Sequence, residues 1–172
     1  TGFCEHLAPH AGALVARLGD SDNNVRYAVV KTINQWGQHA APHGAAVVAL
    51  LEHDDFDVRE HAVQAIGRMD RHMAPRTGAI AERLEHGRSG VVVAAVRALH
   101  ALGEQAAPYT GAIAARLDHD DQDVREVAVS FLAMLGQRGR LGEHAAAHAG
   151  AIAARLGDED YDVRKAAAQA FG

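Results

Sequence analysis

Cysteine is nearly missing from this chain. Cys4 stands alone, so no disulfide can close within it and no cysteine cluster can hold a metal. Aromatic residues make up only 5% and prolines number four, which disfavours a β-sandwich built on aromatic and β-branched side chains. Basic charge is also short. Lys and Arg number 17 against 22 Asp and Glu, a net charge of −5, so nothing draws the chain generally to phosphate backbones or anionic lipid. No apolar run approaches the roughly 18 residues of a membrane span, and no low-complexity tract points to disorder. What is abundant is small and apolar: hydrophobic residues are 48% of 172, and 37 residues are alanine. That is the composition of closely packed helices. We expect an intracellular protein, with cytoplasm and organelle both left open.

A fixed period organises the rest. Val25, Val58, Val91, Val124 and Val163 recur at spacings of 33, 33, 33 and 39, and Pro9, Pro42, Pro75, Pro108 and Ala147 repeat the same intervals. Each unit reads as a first helix opening near the proline, an acidic turn, a second helix opening near the valine, and a short loop containing Gly. In the fourth unit Pro108 fits the first helical position, and Ile113, Ala114 and Leu117 follow at helical spacing. Leu14 and Leu18, Val47 and Leu51, Ile80 and Leu84, and Ile152 and Leu156 fill the same two columns. The turn carries Asp22, Asp55, Asp121 and Asp160, acids placed to cap the second helix and to meet the positive end of its dipole. Second-helix stripes such as Val25, Val29, Ile33, Trp36 and Val124, Ala128, Leu132, Leu135 make one apolar face. The repeated glycines Gly78, Gly111 and Gly150 are expected at close helix contacts.

The fourth unit runs Pro108-Tyr-Thr-Gly-Ala-Ile-Ala-Ala-Arg-Leu-Asp-His-Asp-Asp-Gln-Asp-Val-Arg. Its Asp-x-Asp-Val-Arg turn, shared by the second and fifth units, resembles HEAT repeats, in particular the alanine-rich, phycobilisome-lyase-type HEAT-like form. Ankyrin repeats share the length, but their Thr-Pro-Leu-His segment is absent, as is the Trp, Gly and Tyr pattern of tetratricopeptide repeats. The resemblance spans nearly the whole chain and implies an all-α, right-handed α-solenoid of five helical hairpins of about 33 residues, in repeats near 6–37, 38–70, 71–103, 104–138 and 144–172, with a loop insertion near 137–143. Phe3 aligns with Trp36, Met69, Leu102 and Leu135, Phe171 aligns with Leu132, and neither end carries a polar cap. A fragment of a longer array is expected.

In the HEAT family the turn arginine pairs with acids of its own or a neighbouring unit. The resemblance therefore assigns Asp22, Arg26, Asp55, Arg59, Asp121, Arg125, Asp160 and Arg164 to a structural ladder rather than to an ion or substrate site. The third unit departs: its turn is Gly87-Arg-Ser-Gly and Val92 stands in the arginine column, so acid and base vanish together. Val92 and Val93 would form an apolar contact patch if exposed, and would be core if neighbouring loops cover them; their accessibility decides.

Twelve histidines suggest metal chemistry, but ten fall in three repeat columns: His6, His39, His72 and His144; His10, His43 and His148; His53, His86 and His119. Stacked helices lie about 8–10 Å apart, too far for column neighbours to share an ion at about 2 Å. The i, i+4 pairs His6/His10, His39/His43 and His144/His148 straddle a turn, and no carboxylate completes a set. The His53 column suits the last carbonyls of the first helix. HEAT-like deoxyhypusine hydroxylase uses His-Glu dipeptides as iron ligands, whereas here Glu60-His61 has the reverse order in one copy. No catalytic, cofactor-binding or metal residue is assigned.

A solenoid offers a long curved surface and no natural enclosed pocket. In HEAT proteins the second helices line the concave side, and their outward columns here hold Tyr27, Lys31, Glu60, Gln64, Val93, Arg97, Glu126, Ser130, Lys165 and Gln169. The mixture of signs fits a protein partner better than nucleic acid. Arg138 and Arg140 sit in the lengthened loop before the fifth unit, where an insertion can project a contact. The expectation is a non-catalytic interaction scaffold, binding one or more proteins of a larger assembly, without cofactor. The alternative is a lyase-like or cofactor-handling subunit related to bilin lyases.

Overall fold

The computed structural model describes residues 10–36, 42–137 and 147–171 of the chain. Among the described residues the regular elements are all helical and form five hairpins. The first helices are short: α1 (Ala11–Ala16), α3 (Gly44–Ala49), α5 (Thr77–Glu82), α7 (Thr110–Ala114) and α9 (Ala149–Ala154). The second helices are longer: α2 (Asn23–Trp36), α4 (Phe56–Met69), α6 (Ser89–Leu102), α8 (Gln122–Gln137) and α10 (Tyr161–Gln169). Each second helix packs on the next in one unbroken file, while contacts between successive first helices are sparser. This is the expected α-solenoid, with the second helices as its tighter layer.

The first helices depart from a plain α-helix opening on proline. Pro75 and Pro108 lie inside 3-10 segments, Asp70–Arg76 and Gly103–Tyr109, and the α-helix begins two residues after each. Proline's fixed φ and missing N–H suit either winding, and the tighter 3-10 turn carries the chain across from the preceding helix in fewer residues. A second 3-10 turn closes α1, α3, α5 and α9, after which Asp20, His53, His86 and Asp158 are extended. That extension turns the chain back into the second helix.

The repeated columns make a single apolar core. Leu18, Leu51, Leu84 and Leu117 are buried because the following hairpin covers each of them, whereas Leu156, in the last hairpin, is 46% exposed. The stripe residues Val58, Val91, Val124 and Val163 are buried as well, and alanines such as Ala62, Ala65, Ala95, Ala98 and Ala128 let the second helices approach closely. The glycine expectation needs correction. A side chain at Gly78 would come 3.3 Å from the Tyr109 hydroxyl, but Gly111 and Gly150 face open space. The close contacts fall elsewhere: a Cβ on Gly44 would sit 2.9 Å from Met73 Sδ, and one on Gly67 would sit 3.0 Å from the Ala101 Cβ.

Two hairpins close with the same backbone. After α6, Gly103 takes φ 55, and at the equivalent position after α4 Asp70 takes φ 40. Only glycine adopts that region without strain.

Candidate protein-interaction surface

The turn between the two helices of each hairpin is built from inside its own unit. Asp55 accepts from the backbone N–H groups of Asp57 and Val58 at 2.8 and 3.2 Å, and Asp160 from Asp162 and Val163 at 2.9 and 3.1 Å. Asp121 does the same for Asp123 and Val124, and Asp22 accepts from Asn24. The bond from Val58 N–H is the main reason the Asp55 carboxyl titrates below its ordinary range. The turn arginines then staple the loop: Arg26, Arg59, Arg125 and Arg164 each donate through Nη1 to the carbonyls six and five residues earlier, at 2.7–3.2 Å. The first partners of these guanidiniums are thus carbonyls of their own turn, not acids of it.

Acids enter between units. Arg26 reaches Asp57 at 3.3 Å. Arg125 meets Asp158 through Nε at 3.0 Å and Nη2 at 2.9 Å, with both side chains buried, at 7% and 4% exposure. Arg125 holds the Asp158 carboxyl below its ordinary value, and Asp158 raises the guanidinium in return. In the third hairpin the polarity reverses: Arg88, standing where other turns carry the capping Asp, reaches back to Asp54 and to the Glu52 carbonyl. α6 therefore has no side-chain cap.

A second ladder runs beside the first and was missed in the sequence. Arg83 pairs with Glu52 at 2.9 Å, Arg116 with Glu85, and Arg155 with Asp118 at 2.9 Å. Its signal was present as the Arg-Leu-acid triplets Arg83-Leu84-Glu85 and Arg116-Leu117-Asp118, in which each acid serves the arginine of the following unit.

The histidine column corrects another expectation. His53, His86 and His119 do not serve the helix carbonyls; each accepts at Nδ1 from the backbone N–H two residues on, at 3.0–3.1 Å. Asp20 and Asp158 make the same bond in the first and fifth hairpins. The imidazole thus replaces a carboxylate in an Asx-like turn. His6, His39 and His144 lie outside the described residues, and among those described no group of three His, Cys, Asp or Glu is placed to hold a metal.

Of the outward columns, Tyr27 is 63% exposed, and Lys31, Gln64, Lys165 and Gln169 are also exposed. Glu126 and Ser130 are half-buried. Glu60 and Arg97 are brought together, Arg97 Nη1 donating to Glu60 Oε1 at 2.7 Å across α4 and α6. Val92 and Val93 need correction as a contact patch: Val92 is fully buried and Val93 is 9% exposed, because α6 sits in the middle of the stack with α4 and α8 on either side. Val93 lines a cleft between α4, α6 and α8. Phe56, one turn before Glu60, is 56% exposed with the Arg59 guanidinium 5.7 Å from its ring centroid. Arg138 and Arg140 lie outside the described residues. No helix among the described residues is long and apolar enough to cross a membrane.

Residues 44–133 match the family description of HEAT repeats. No curated protein sequence matches the chain. Among solved structures, the complex of CpcE and CpcF of phycocyanin lyase from Nostoc sp. PCC7120 is similar at a TM-score of 0.71 and 13% identity, over 97% of this chain and 99% of that one. A designed armadillo repeat protein in complex with peptide (KR)4 is similar at a TM-score of 0.62 and 20% identity, over 98% of this chain and 84% of that one. A further designed armadillo repeat protein gives 0.59 and 20%, over 97% and 84%. At these identities the likeness is one of fold.

Proposed function

The chain belongs to the HEAT-repeat family, and from that membership we propose that it is a non-catalytic protein-interaction scaffold, a module of a larger protein or an accessory subunit of an assembly. The observation that carries this reading is the unbroken file of α2, α4, α6, α8 and α10, whose outward columns present side chains of both signs with Tyr27 and Phe56 exposed among them. Such a face is long and rigid, and it suits a protein surface better than a phosphate backbone. Similarity to a designed repeat protein in complex with a peptide agrees with it.

The test is site-specific photocrosslinking in the native source. A crosslinker at Tyr27, Gln64 or Ser130 is expected to capture the partner, and one at the exposed Ala45 of α3 or at Ala115, just after α7, is not. Capture from the first helices alone would overturn the reading.

A second reading, a bilin-lyase-like subunit, is favoured by the full-length superposition on the phycocyanin lyase complex. Incubation with bilin and an acceptor protein separates the two: transfer of the chromophore would replace the scaffold with an enzyme subunit.

A further inference from the structure

The break in the third hairpin leaves a cleft of about 130 Å³ where α4, α6 and α8 begin. There α6 opens on Ser89 and Gly90, where α4 opens on Phe56 and Asp57 and α8 on Gln122 and Asp123, and the Arg59 guanidinium lies against Gly90, 2.9 Å from where a Cβ would stand. Gly90, Val93 and Ala94 line it beside Phe56, while Asp121 and Asp123 line it from α8. A second groove, lined by Arg97 and His100 from α6 and by Glu126, Val127 and Ser130 from α8, lies further along the same two helices.

The charge around this cleft is unbalanced. Arg97 is paired with Glu60, whereas Arg59 donates to the His53 and Asp54 carbonyls and keeps its charge, one cation against Asp121, Asp123 and Glu126. Asp121 caps α8 through Oδ1. Asp123 and Glu126, one turn apart on α8, form no ion pair among the described residues. An apolar lining beneath unpaired carboxylates fits a side chain with an aliphatic stem and a cationic head, which keeps its charge near water while burying its stem. The face of Phe56 not taken by Arg59 adds an attraction for the same cation. A carboxylate would meet like charge there, and the net charge of −5 steers in the same sense.

We propose that this cleft docks an extended basic segment of a protein partner. One Lys or Arg lays its stem over Val93 and Ala94 with its head group at Asp123, and the segment runs on between α6 and α8 past Glu126. The inference rests on the scaffold reading and adds the chemistry of the partner and the place where it is read.

The test uses the full chain and a fluorescent peptide of alternating lysine and arginine, with an alternating aspartate and glutamate peptide for comparison, followed by anisotropy. The basic peptide is expected to bind and the acidic one not. Asp123→Asn with Glu126→Gln is expected to weaken binding about tenfold. Glu82→Gln with Glu104→Gln, which removes the same charge from exposed positions elsewhere, should weaken it less than about twofold. Val93→Lys, with folding checked by circular dichroism, should abolish binding. Equal weakening by the two double variants, binding of the acidic peptide, or no binding of the basic one would overturn the proposal. In that last case partner capture at Tyr27, Gln64 or Ser130 would leave the scaffold reading standing, and loss of that capture would remove both.

Discussion

At the junction of the fourth and fifth hairpins a guanidinium and a carboxylate are buried against each other, Arg125 with Asp158. One junction earlier the same two columns hold Val92, fully buried, and His119, which accepts only the N–H of its own turn. Both junctions carry a packed pair of second helices, α8 on α10 and α6 on α8. The bond to the N–H two residues on is local and is made by Asp158 in one case and His119 in the other, while the third turn, with Val92, lacks the arginine's bonds to its carbonyls. The ion pair is therefore not what makes the hairpins stack. Buried ion pairs stabilise little relative to apolar replacements of similar size, yet breaking one from one side is expensive because the remaining charge stays buried.

The largest expected effect comes from breaking that pair on one side. Asp158→Ala should lower the unfolding free energy by about 3 kcal/mol, measured by urea denaturation, because Arg125 keeps its charge and is left with only the longer contact to the exposed Glu159, at 3.4 Å. Arg125→Val with Asp158→Ala places a valine in the column as Val92 does at the earlier junction and should cost less than Asp158→Ala alone; a larger loss for the double variant would mean that the bonds of Arg125 to the His119 and Asp120 carbonyls outweigh the relief of its buried charge. The acid limb separates the junctions too. The Asp158 carboxyl lies below its ordinary value of 3.8 in the folded chain, so its contribution is complete above that value and is lost as pH falls through the lowered one. Asp158→Asn should therefore flatten the fall in stability below about pH 4.

The loops offer a smaller contrast. After α6 the positive φ is taken by Gly103, and after α4 by Asp70. Asp70→Gly should raise stability by about 1 kcal/mol, seen as a higher urea midpoint with unchanged slope. The exposed bond from Gln105 to Asp70 Oδ1, at 3.2 Å, is the loss set against it. A fall in stability would mean that this inter-hairpin bond outweighs the backbone strain.

What the sequence made legible was what is local and repeated. The capping acids Asp22, Asp55, Asp121 and Asp160 rest on contacts within a few residues and reappear in the structure, and the 33-residue period and the apolar columns show in their spacing, although burial of Leu18, Leu51, Leu84 and Leu117 needs the following hairpin. Features that depend on a neighbour were read less well. Val92 is buried by helices 33 residues away on either side, and no pattern inside its own unit reports that. The histidine column accepts N–H groups rather than donating to carbonyls because His53 and His86 are extended at ψ 146 and 140, a backbone state that residue type alone does not reveal. The cleft is hardest to read, because its walls come from three successive hairpins.

The smallest effect tests the uncapped turn. Arg88 occupies the column of the capping acids, and α6 has no side-chain cap, whereas α4 and α10 each have two backbone N–H groups satisfied by Asp55 and Asp160. Arg88→Asp restores that acid, and an N-cap is worth about 1 kcal/mol. The change removes the Arg88–Asp54 pair, but Asp54 is 95% exposed and such surface pairs contribute about 0–1 kcal/mol. A net gain of about 0.5 kcal/mol in thermal unfolding is expected. A loss instead would show that the reach of Arg88 to Asp54 and to the Glu52 carbonyl fastens the second hairpin to the third, and that the third turn exchanged its own cap for a link to its neighbour.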